Sequence, residues 1–398
     1  MKSILIFVSI CCFTCNNISP QIATPLKNSE PIVIDVDNFR GERIYYSNIF
    51  NNVKIIPLET NQKSLIGDIY RINIIDNNIF ILDRFNAKSL FIFTKEGEFI
   101  RKIGSLGKGP GEYLSPDDFC YDIQNNEILL LDGKTQKINV YDLYGNFKRN
   151  IHIKVGTRCT QIAIQNNYIY TNGNPILVKN KDDFYFLNNI NTDGTVQKKW
   201  LKFPEYGWDS PVTYNSDEFF QTEKDIKFNR HFINTIYSIK QNEVYPFITL
   251  KSNNVISVKE LNELKNAASK RYPPILTTVE LLQTGKMWGI HNYLENDRII
   301  FFHYHNYKTR YQLIYDLKTR KIKCGFLIDD ITFASTDFYD IDANSLIGIV
   351  RTRFDKTLED IVVEIKNKNL KIPQNELKKL DKINNSSNPV LIFYELKP

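Results

Sequence analysis

Short runs of apolar residues, each bounded by Asn, Asp or Gly, recur along the chain as a repeating unit. Residues 77–83 (NNIFILD) resemble residues 125–132 (NNEILLLD). Runs of this length between turn residues are typical of β-strands. Each unit also carries a later turn glycine, at Gly97, Gly145 and Gly194, so the interval is 48–49 residues. Such a period predicts an array of similar small units, as in a β-propeller.

The first unit contains four strand-like runs, which predict one antiparallel meander. These runs are residues 70–75, 79–83, 89–93 and 99–103. Further units cover about residues 119–155, 161–201, 231–248, 288–326 and 337 onward, and the third and fourth are less regular. The sequence therefore predicts six blades. Because the turn at Gly97 needs a positive φ, we expect Gly97→Val to impair folding.

The two ends of the chain are predicted to complete the last blade. Residues 390–394 (VLIFY) form an apolar run close to the C-terminus, and residues 32–36 or 53–58 offer an N-terminal partner. A ring of sheets must close, because otherwise its first and last units keep unpaired edges. The predicted fold is an all-β, six-bladed β-propeller of four-stranded antiparallel blades over residues 31–398, closed by strands from both termini, with short helical insertions.

Two segments break the strand pattern and are predicted to be helical. Ser257 and Glu260 form a capping-box signature, and apolar residues follow at helical spacing, which predicts a helix over about residues 257–270. A weaker helical stripe covers residues 374–383. Both segments are interpreted as structural lids on a strand scaffold, with gating of a ligand as the alternative.

The first residues are interpreted as an export signal. A short positive start precedes an apolar run that is too short to span a bilayer. Cys15, followed by polar residues, resembles the lipidated cysteine of the bacterial lipobox, although Thr14 and Cys12 depart from the usual residues. We predict a signal over residues 1–15, lipidation at Cys15 and a flexible tether over residues 16–30. Ordinary signal cleavage, giving a secreted protein, is the alternative.

Composition narrows the possible partners. The chain has 398 residues and a net charge of +6, with scattered basic residues, which argues against nucleic-acid binding. The aromatic residues are expected mainly to fill the space between sheets. Cys120, Cys159 and Cys324 include no C-x-x-C pair, so we expect buried, inert thiols rather than a zinc site, with a disulfide as the alternative.

Several motifs resemble one known family. They are residues 56–60 (IPLET), 64–67 (SLIG), 79–83 (IFILD), 388–391 (NPVL) and above all 104–113 (GSLGKGPGEY). These segments are similar to the six-bladed β-propeller lipoproteins of Bacteroidetes, which are themselves similar to NHL-repeat propellers. The resemblance implies a propeller exported to the bacterial cell envelope and anchored by an N-terminal lipid, in the outer membrane and facing the periplasm or the surface. It implies no activity and no catalytic residues.

The glycine-rich segment 107–113 (GKGPGEY) is the most conspicuous local motif. It lacks the order of a P-loop, because Lys108 precedes the second glycine and Pro110 removes a backbone donor. We interpret it as a crossover between blades one and two, near the mouth of the central channel, where loops on a rigid scaffold commonly carry function. Lys108, Glu112 and Tyr113 are the predicted ligand-binding residues.

Two other patterns favour structural roles. His303 and His305 share one strand face and could begin a metal site, but no third ligand has a useful spacing, and His291 is either in the neighbouring strand or remote. We expect partly exposed strand residues, and we predict no metal and no cofactor. Asp83 and Asp132 occupy equivalent positions in two units, so turn capping is favoured over a catalytic carboxylate pair.

Two classes of function follow. The first is a binding protein that recognises a glycan, a peptide or a partner envelope protein at the channel mouth. The second is an enzyme, a lyase or a hydrolase, with polar residues converging in the central funnel, and the fold is compatible with both. A compact acid-base cluster in the funnel would favour the enzyme, whereas a broad groove lined by Tyr, Asn and Trp208 would favour binding. We favour binding, since the sequence shows no catalytic constellation.

Overall fold

The computed structural model describes residues 21–22, 30–39, 41–173, 184–203, 217–270, 277–334, 337–350, 356–368 and 371–398. Within these ranges, six four-stranded antiparallel sheets form a ring around a central axis. The predicted six-bladed β-propeller is therefore confirmed. The predicted export signal with Cys15, and also Trp208, lie outside the described residues.

Four strands precede the first blade, and two complete blades follow. The N-terminal strands are β1 (Gln21–Ile22), β2 (Ile32–Asp35), β3 (Glu42–Tyr45) and β4 (Phe50–Pro57). Blade one contains β5 (Arg71–Ile75), β6 (Asn78–Asp83), β7 (Ser89–Thr94) and β8 (Phe99–Ile103). The link to blade two forms a small parallel pair, β9 (Ser105–Leu106) and β10 (Glu112–Tyr113). Blade two contains β11 (Pro116–Asp122), β12 (Glu127–Asp132), β13 (Lys137–Asp142) and β14 (Phe147–His152).

The remaining four blades repeat the same meander. Blade three contains β15 (Ile162–Gln165), β16 (Tyr168–Asn172), β17 (Tyr185–Ile190) and β18 (Val196–Lys202). Blade four contains β19 (Phe219–Gln221), β20 (Ile226–Phe228), β21 (Thr235–Lys240) and β22 (Glu243–Lys251). Blade five contains β23 (Ile290–Glu295), β24 (Ile299–Asn306), β25 (Thr309–Asp316) and β26 (Ile322–Ile328). Blade six contains β27 (Phe338–Ile341), β28 (Ser345–Val350), β29 (Val390–Leu396) and the N-terminal β4.

The chain termini close the ring in blade six. Strand β29 pairs antiparallel with β4, with Val390 opposite Pro57 and Tyr394 opposite Val53. The closing N-terminal run is therefore residues 53–58 rather than 32–36. Four aromatic rings pack at this seam with centroid separations of 5.1–5.8 Å. These rings belong to Tyr46, Phe50, Phe338 and Tyr394.

The three strands before β4 wrap around the outside of the ring, and we call them the strap. Strands β1, β2 and β3 add a parallel fifth strand to the outer edges of blades three, four and five, respectively. Short 3-10 turns at Val36–Asn38 and Tyr46–Asn48 follow β2 and β3. The strap was not predicted, and β1 lies within the segment predicted to be a flexible tether.

The apolar faces of neighbouring blades form the core. Between blades one and two, for example, the rings of Phe80 and Phe119 stack with centroids 6.3 Å apart. As predicted, aromatic residues fill the space between sheets. Cys120, Cys159 and Cys324 are buried free thiols in this core, which agrees with the expected inert state.

Four helices within the described ranges are insertions on the strand scaffold. They are α1 (Val258–Ala268), α2 (Thr278–Gln283), α3 (Leu358–Lys368) and α4 (Gln374–Lys378). Helix α1 begins at the predicted capping box, in which Ser257 and Glu260 exchange hydrogen bonds. Helix α2 begins at an equivalent box of Thr277 and Glu280, a signal that the sequence contained but the prediction missed. Helix α3 was not predicted, and α4 is shorter than predicted.

The ring has two different ends. The links between blades and the loop between the second and third strand of each blade lie at one end, which we call the connection face. The other turns of every blade lie at the opposite end, the hairpin face. Helices α1 and α2 lie in the link between blades four and five, and α3 and α4 lie in the loop between the second and third strands of blade six. The connection face therefore carries these insertions, and the hairpin face carries short turns.

The turn at Gly97 can be tested against a matched glycine. Gly97 has φ +93°, and a Cβ there would lie 2.3 Å from the carbonyl oxygen of Pro57 in the closing strand. Gly156 has φ +76°, but a Cβ there would meet nothing within 4 Å. We expect Gly156→Ala to lower the free energy of unfolding by about 1 kcal/mol through its φ alone. Gly97→Ala should lower the free energy of unfolding by about 1–3 kcal/mol more than Gly156→Ala does, because of the contact with the Pro57 carbonyl. Equal losses of unfolding free energy, measured in urea, would contradict this arrangement.

Candidate ligand-binding site

The innermost strand of each blade presents an unpaired edge to the central axis. Side chains from one blade bond to backbone groups of a neighbouring blade and so satisfy part of this edge. The bonds join Asp118 to the Ile162 amide (2.8 Å), Asp340 to the Ile74 amide (2.8 Å), Gln221 to the Ile164 amide (3.3 Å) and Asn292 to the Phe338 carbonyl (2.7 Å). These polar residues are therefore part of the scaffold.

Arg71 lies at the centre of the axial polar residues. Its guanidinium forms an ion pair with Asp118 of blade two and donates to the Phe219 carbonyl of blade four at 3.2 Å. Burial works against its charged form, but Asp118 and Asp217 raise the pKa of Arg71. Burial also raises the pKa of Asp217 to about 6 and that of Asp340 to about 7. One buried cation thus lies among three carboxyl groups, and burial raises the pKa of each of them above its usual value.

Asp83 and Asp132 cap the links between blades. Asp83 accepts hydrogen bonds from the amides of Gly67 at 2.7 Å and Asp68 at 3.1 Å. Asp132 accepts equivalent bonds from the amides of Leu114 and Ser115, and Asn172 does the same in blade three. The predicted turn-capping role is confirmed, and it extends to a third blade in which asparagine replaces aspartate.

A cavity of about 270 Å³ lies on the connection face where blades five, six and one meet. Blade one and its preceding link contribute Asp68, Ile69, Tyr70 and Phe85, blade five contributes Asn292, His303 and Arg310, and blade six contributes Asp337, Phe338 and Tyr339. Most of these residues lie in links, in the loop after β6 or near the start of a strand, whereas His303 lies within β24. The lining combines aromatic rings, one amide, one imidazole and charged groups of both signs.

Two of the three charged residues that line the cavity are paired. Arg310 and Asp337 form an ion pair at 2.7 Å, and each side chain is about one-third exposed. The third, Asp68, is exposed, so the lining holds two carboxylates and one guanidinium.

At the rim of the cavity, Arg84 lies over the rings of Tyr70 and Phe85, at 5.0 and 5.3 Å from their centroids. Arg84 also pairs with Asp117 at 3.0 Å. Burial raises the pKa of Tyr70 to about 12, so its phenol stays protonated and adds no charge.

The histidines of blade five are buried, which corrects the expectation that they are partly exposed. His291 lies opposite His303 in the neighbouring strand, and Trp288 stacks on His305 with ring centroids 4.4 Å apart. Burial lowers the pKa of His305 to about 3 and that of His291 and His303 well below the usual value. The prediction failed because a chain of aromatic packing covers this strand face. Over the described ranges, no group of three or more His, Cys, Asp or Glu side chains has a metal-binding arrangement.

The predicted ligand-binding residues lie on the connection face but do not line the cavity. Lys108 is exposed. The carboxylate of Glu112 accepts from the Gly109 amide at 2.7 Å and so braces its own loop. Tyr113 is buried between blades one and two, and its hydroxyl donates to the Ile103 carbonyl at 3.3 Å. Ligand binding by these three residues stays a prediction, and the core position of Tyr113 argues against direct contact.

The cavity was not predicted from the sequence because its lining comes from three blades. Of its lining residues, only His303 belonged to a motif that was considered as a possible site. One signal was available, since Arg84 and Phe85 follow Asp83 where blade two has Gly133 and Lys134 after Asp132. An aromatic residue in a repeated loop position is a departure from the repeat, and such departures indicate sites specific to one blade.

A family model described as "Domain of unknown function (DUF4934)" matches residues 31–395. The chain belongs to the DUF4934 family. The match includes every blade and most of the strap. No curated protein matches the DUF4934 chain.

Two solved structures resemble this DUF4934 propeller. A protein of Bacteroides fragilis NCTC 9343, described as exported, has 18% identity and a TM-score of 0.70, with 95% of this chain and 100% of that chain covered. A member of the duf4221 family from Bacteroides vulgatus has 12% identity and a TM-score of 0.51, with 87% and 97% covered. At these identities the likeness shows the shared fold. The longest helices in the described ranges have 11 residues, and none has the length and apolar character of a membrane span.

The raised pKa of Asp340 predicts a specific pH dependence of stability. Its folded-state pKa is about 7, against about 4 in an unfolded chain. The folded state therefore binds this proton more tightly, so the group stabilises the protein at low pH and loses that contribution as the pH rises through 7. Asparagine can still accept the bond from the Ile74 amide, so we expect Asp340→Asn to melt at a higher temperature than the wild type at pH 8.

The advantage of Asp340→Asn should shrink towards pH 5, where the native carboxyl group is already protonated. Thermal unfolding followed by circular dichroism between pH 5 and pH 8 measures this. Asp297→Asn, at an exposed carboxylate on the hairpin face, is the control. A destabilised Asp340→Asn protein at pH 8 would show that the charged carboxylate supports the ring.

Proposed function

We propose that this DUF4934 protein is a non-catalytic binding protein of the bacterial cell envelope, which holds a glycan, a peptide or a partner protein at the axial mouth of its connection face. The observation that carries the proposal is the cavity shared by blades five, six and one. It combines half-exposed aromatic surface with fixed polar groups, which is the usual character of a ligand site.

Two of the three axial carboxyl groups have structural roles. Asp118 and Asp340 each accept a backbone amide of the next blade, and Asp118 is also paired with Arg71. A general acid or base must be able to exchange its proton with a substrate. These groups instead hold the ring together, so the alternative lyase or hydrolase gains no support from them.

The N-terminal strap supports a defined orientation at a membrane. Strand β1 pairs in parallel with β18, with Gln21 opposite Lys198, close to the start of β18 and therefore near the hairpin face. Cys15 precedes Gln21 by six residues, which can span at most about 20 Å. A lipid at Cys15 would hold the hairpin face near the membrane and turn the cavity away from it. The exported Bacteroides fragilis structure with the same fold supports export.

A pair of exposed aromatic residues provides the test of binding at the cavity. Phe85 is 51% exposed at the cavity rim, whereas Tyr144 is 73% exposed in a turn of the hairpin face. We expect Phe85→Ala to weaken retention of a ligand by about tenfold, and Tyr144→Ala to leave it unchanged. Purified wild-type and variant proteins are compared on glycan and peptide arrays. Ligands that are retained equally by all three proteins would contradict a site in this cavity.

The lipid anchor is tested independently of the ligand. Cys15→Ser should abolish incorporation of a labelled fatty acid. It should also move the protein from the membrane fraction to the soluble fraction, because it removes the proposed lipid anchor. Cys11→Ser, at a cysteine that precedes the lipobox-like residues 12–15, is the matched control and should leave both unchanged. Labelling and fractionation in a Bacteroidetes host measure the outcome, and membrane retention of Cys15→Ser would contradict lipidation at that residue.

A further inference from the structure

Resting on the proposed binding function, we propose that the cavity between blades five, six and one takes a neutral sugar, one pyranose ring of a glycan, with His303 as the hydrogen-bonding residue at its base. A peptide or an anionic ligand fits the same groups less well. Three features of the cavity support this choice of chemistry.

The first feature is the imidazole of His303. Its side chain is 1% exposed and lines the cavity, and neither ring nitrogen has a hydrogen-bond partner among the described residues. Leaving buried polar atoms unsatisfied costs free energy that a ligand can recover. A neutral imidazole offers one donor and one acceptor, so one of its nitrogens can serve a sugar hydroxyl at the base of the cavity once the ring turns it towards the ligand.

The second feature is the charge balance of the lining. Arg310 and Asp337 neutralise each other at 2.7 Å, and His303 is held neutral by burial and by the nearby positive charge of Arg310. An amino-acid zwitterion or a carboxylate must compete with Asp337 for Arg310, at the cost of a partly buried charge pair. A hydroxyl can accept from Arg310 or donate to Asp337 without separating them. Asp68 adds a second carboxylate to the lining, so the cavity favours a ligand rich in hydroxyls and free of negative charge.

The third feature is the aromatic rim. The rings of Tyr70 and Phe85 meet edge to face, with centroids 6.0 Å apart, and Arg84 lies over both. Phe85 keeps half of its surface exposed, so an apolar C–H face of a ring can pack on it. The volume of about 270 Å³ lies at the small end of ligand pockets, which suits a single ring rather than an extended chain.

His303→Leu is the decisive variant, because leucine fills similar space and removes both hydrogen-bonding atoms. We expect its melting temperature to equal or exceed that of the wild type, since no unsatisfied polar group remains buried. Its affinity for neutral sugars should fall about tenfold. Phe85→Ala, at the surface, is the second variant, and Tyr144→Ala is the control that should bind as the wild type does.

The probes are neutral hexoses, N-acetylhexosamines and uronic acids, with dipeptides for comparison, measured by ligand-observed NMR and isothermal titration calorimetry. Binding of neutral sugars that is weakened in His303→Leu and Phe85→Ala supports the inference. Preference for uronic acids, or sugar binding that His303→Leu leaves intact, overturns it. Dipeptide binding that depends on Phe85 without sugar binding overturns the inference but leaves the proposed binding function standing. Failure of Phe85→Ala to affect any ligand overturns both.

Discussion

The structure depends on satisfying the inner edges of its sheets. Six innermost strands face a common axis, and a strand edge with free amides and carbonyls is costly when it is buried. In this ring the innermost strands pair only within their own blades, and side chains such as Asp118, Asp340 and Asn292 bond to the backbone of the next blade. Each blade is thereby fixed relative to its neighbour. The axis is polar for a structural reason, and Arg71 supplies the positive charge that so many carboxyl groups require.

The position of the cavity follows from this constraint. Arg71 reaches from blade one to blades two and four, so the polar residues fill the axis on that side. On the other side, the connection-face ends of blades five, six and one line the cavity. Asn292 belongs to both sets of residues, because it lines the cavity and bonds to the Phe338 carbonyl of the next blade. Residues such as Phe85 and Arg310 lie outside the inter-blade hydrogen bonds described above, so these are the lining residues that can change with least effect on the ring.

The repeat predicted the fold because it is local. Turn glycines such as Gly97, the apolar second strands and the capped links are each encoded within a few residues, and closure followed from the apolar run at residues 390–394. The strap escaped prediction because a single added parallel strand has no partner nearby in sequence and no periodic pattern. The burial of His303 and the cavity escaped it for the same reason, since both arise where three blades meet. Helix α2 is different, because its Thr277 and Glu280 box was visible in the sequence.

The strap also constrains the order in which the parts of this protein can fold. Its strands lie first in the chain, yet they pair with β18, β22 and β26, and β4 pairs with β29 near the other end. Contacts between such distant residues form late, because closing long loops is entropically costly. During synthesis, each of these N-terminal strands thus stays unpaired until its partner strand has been made, and β4 waits for the last strand of all. Over that interval, pairing of a β-prone segment with other sheets competes with closure of the ring, so the early strands are the part of this topology most exposed to misfolding.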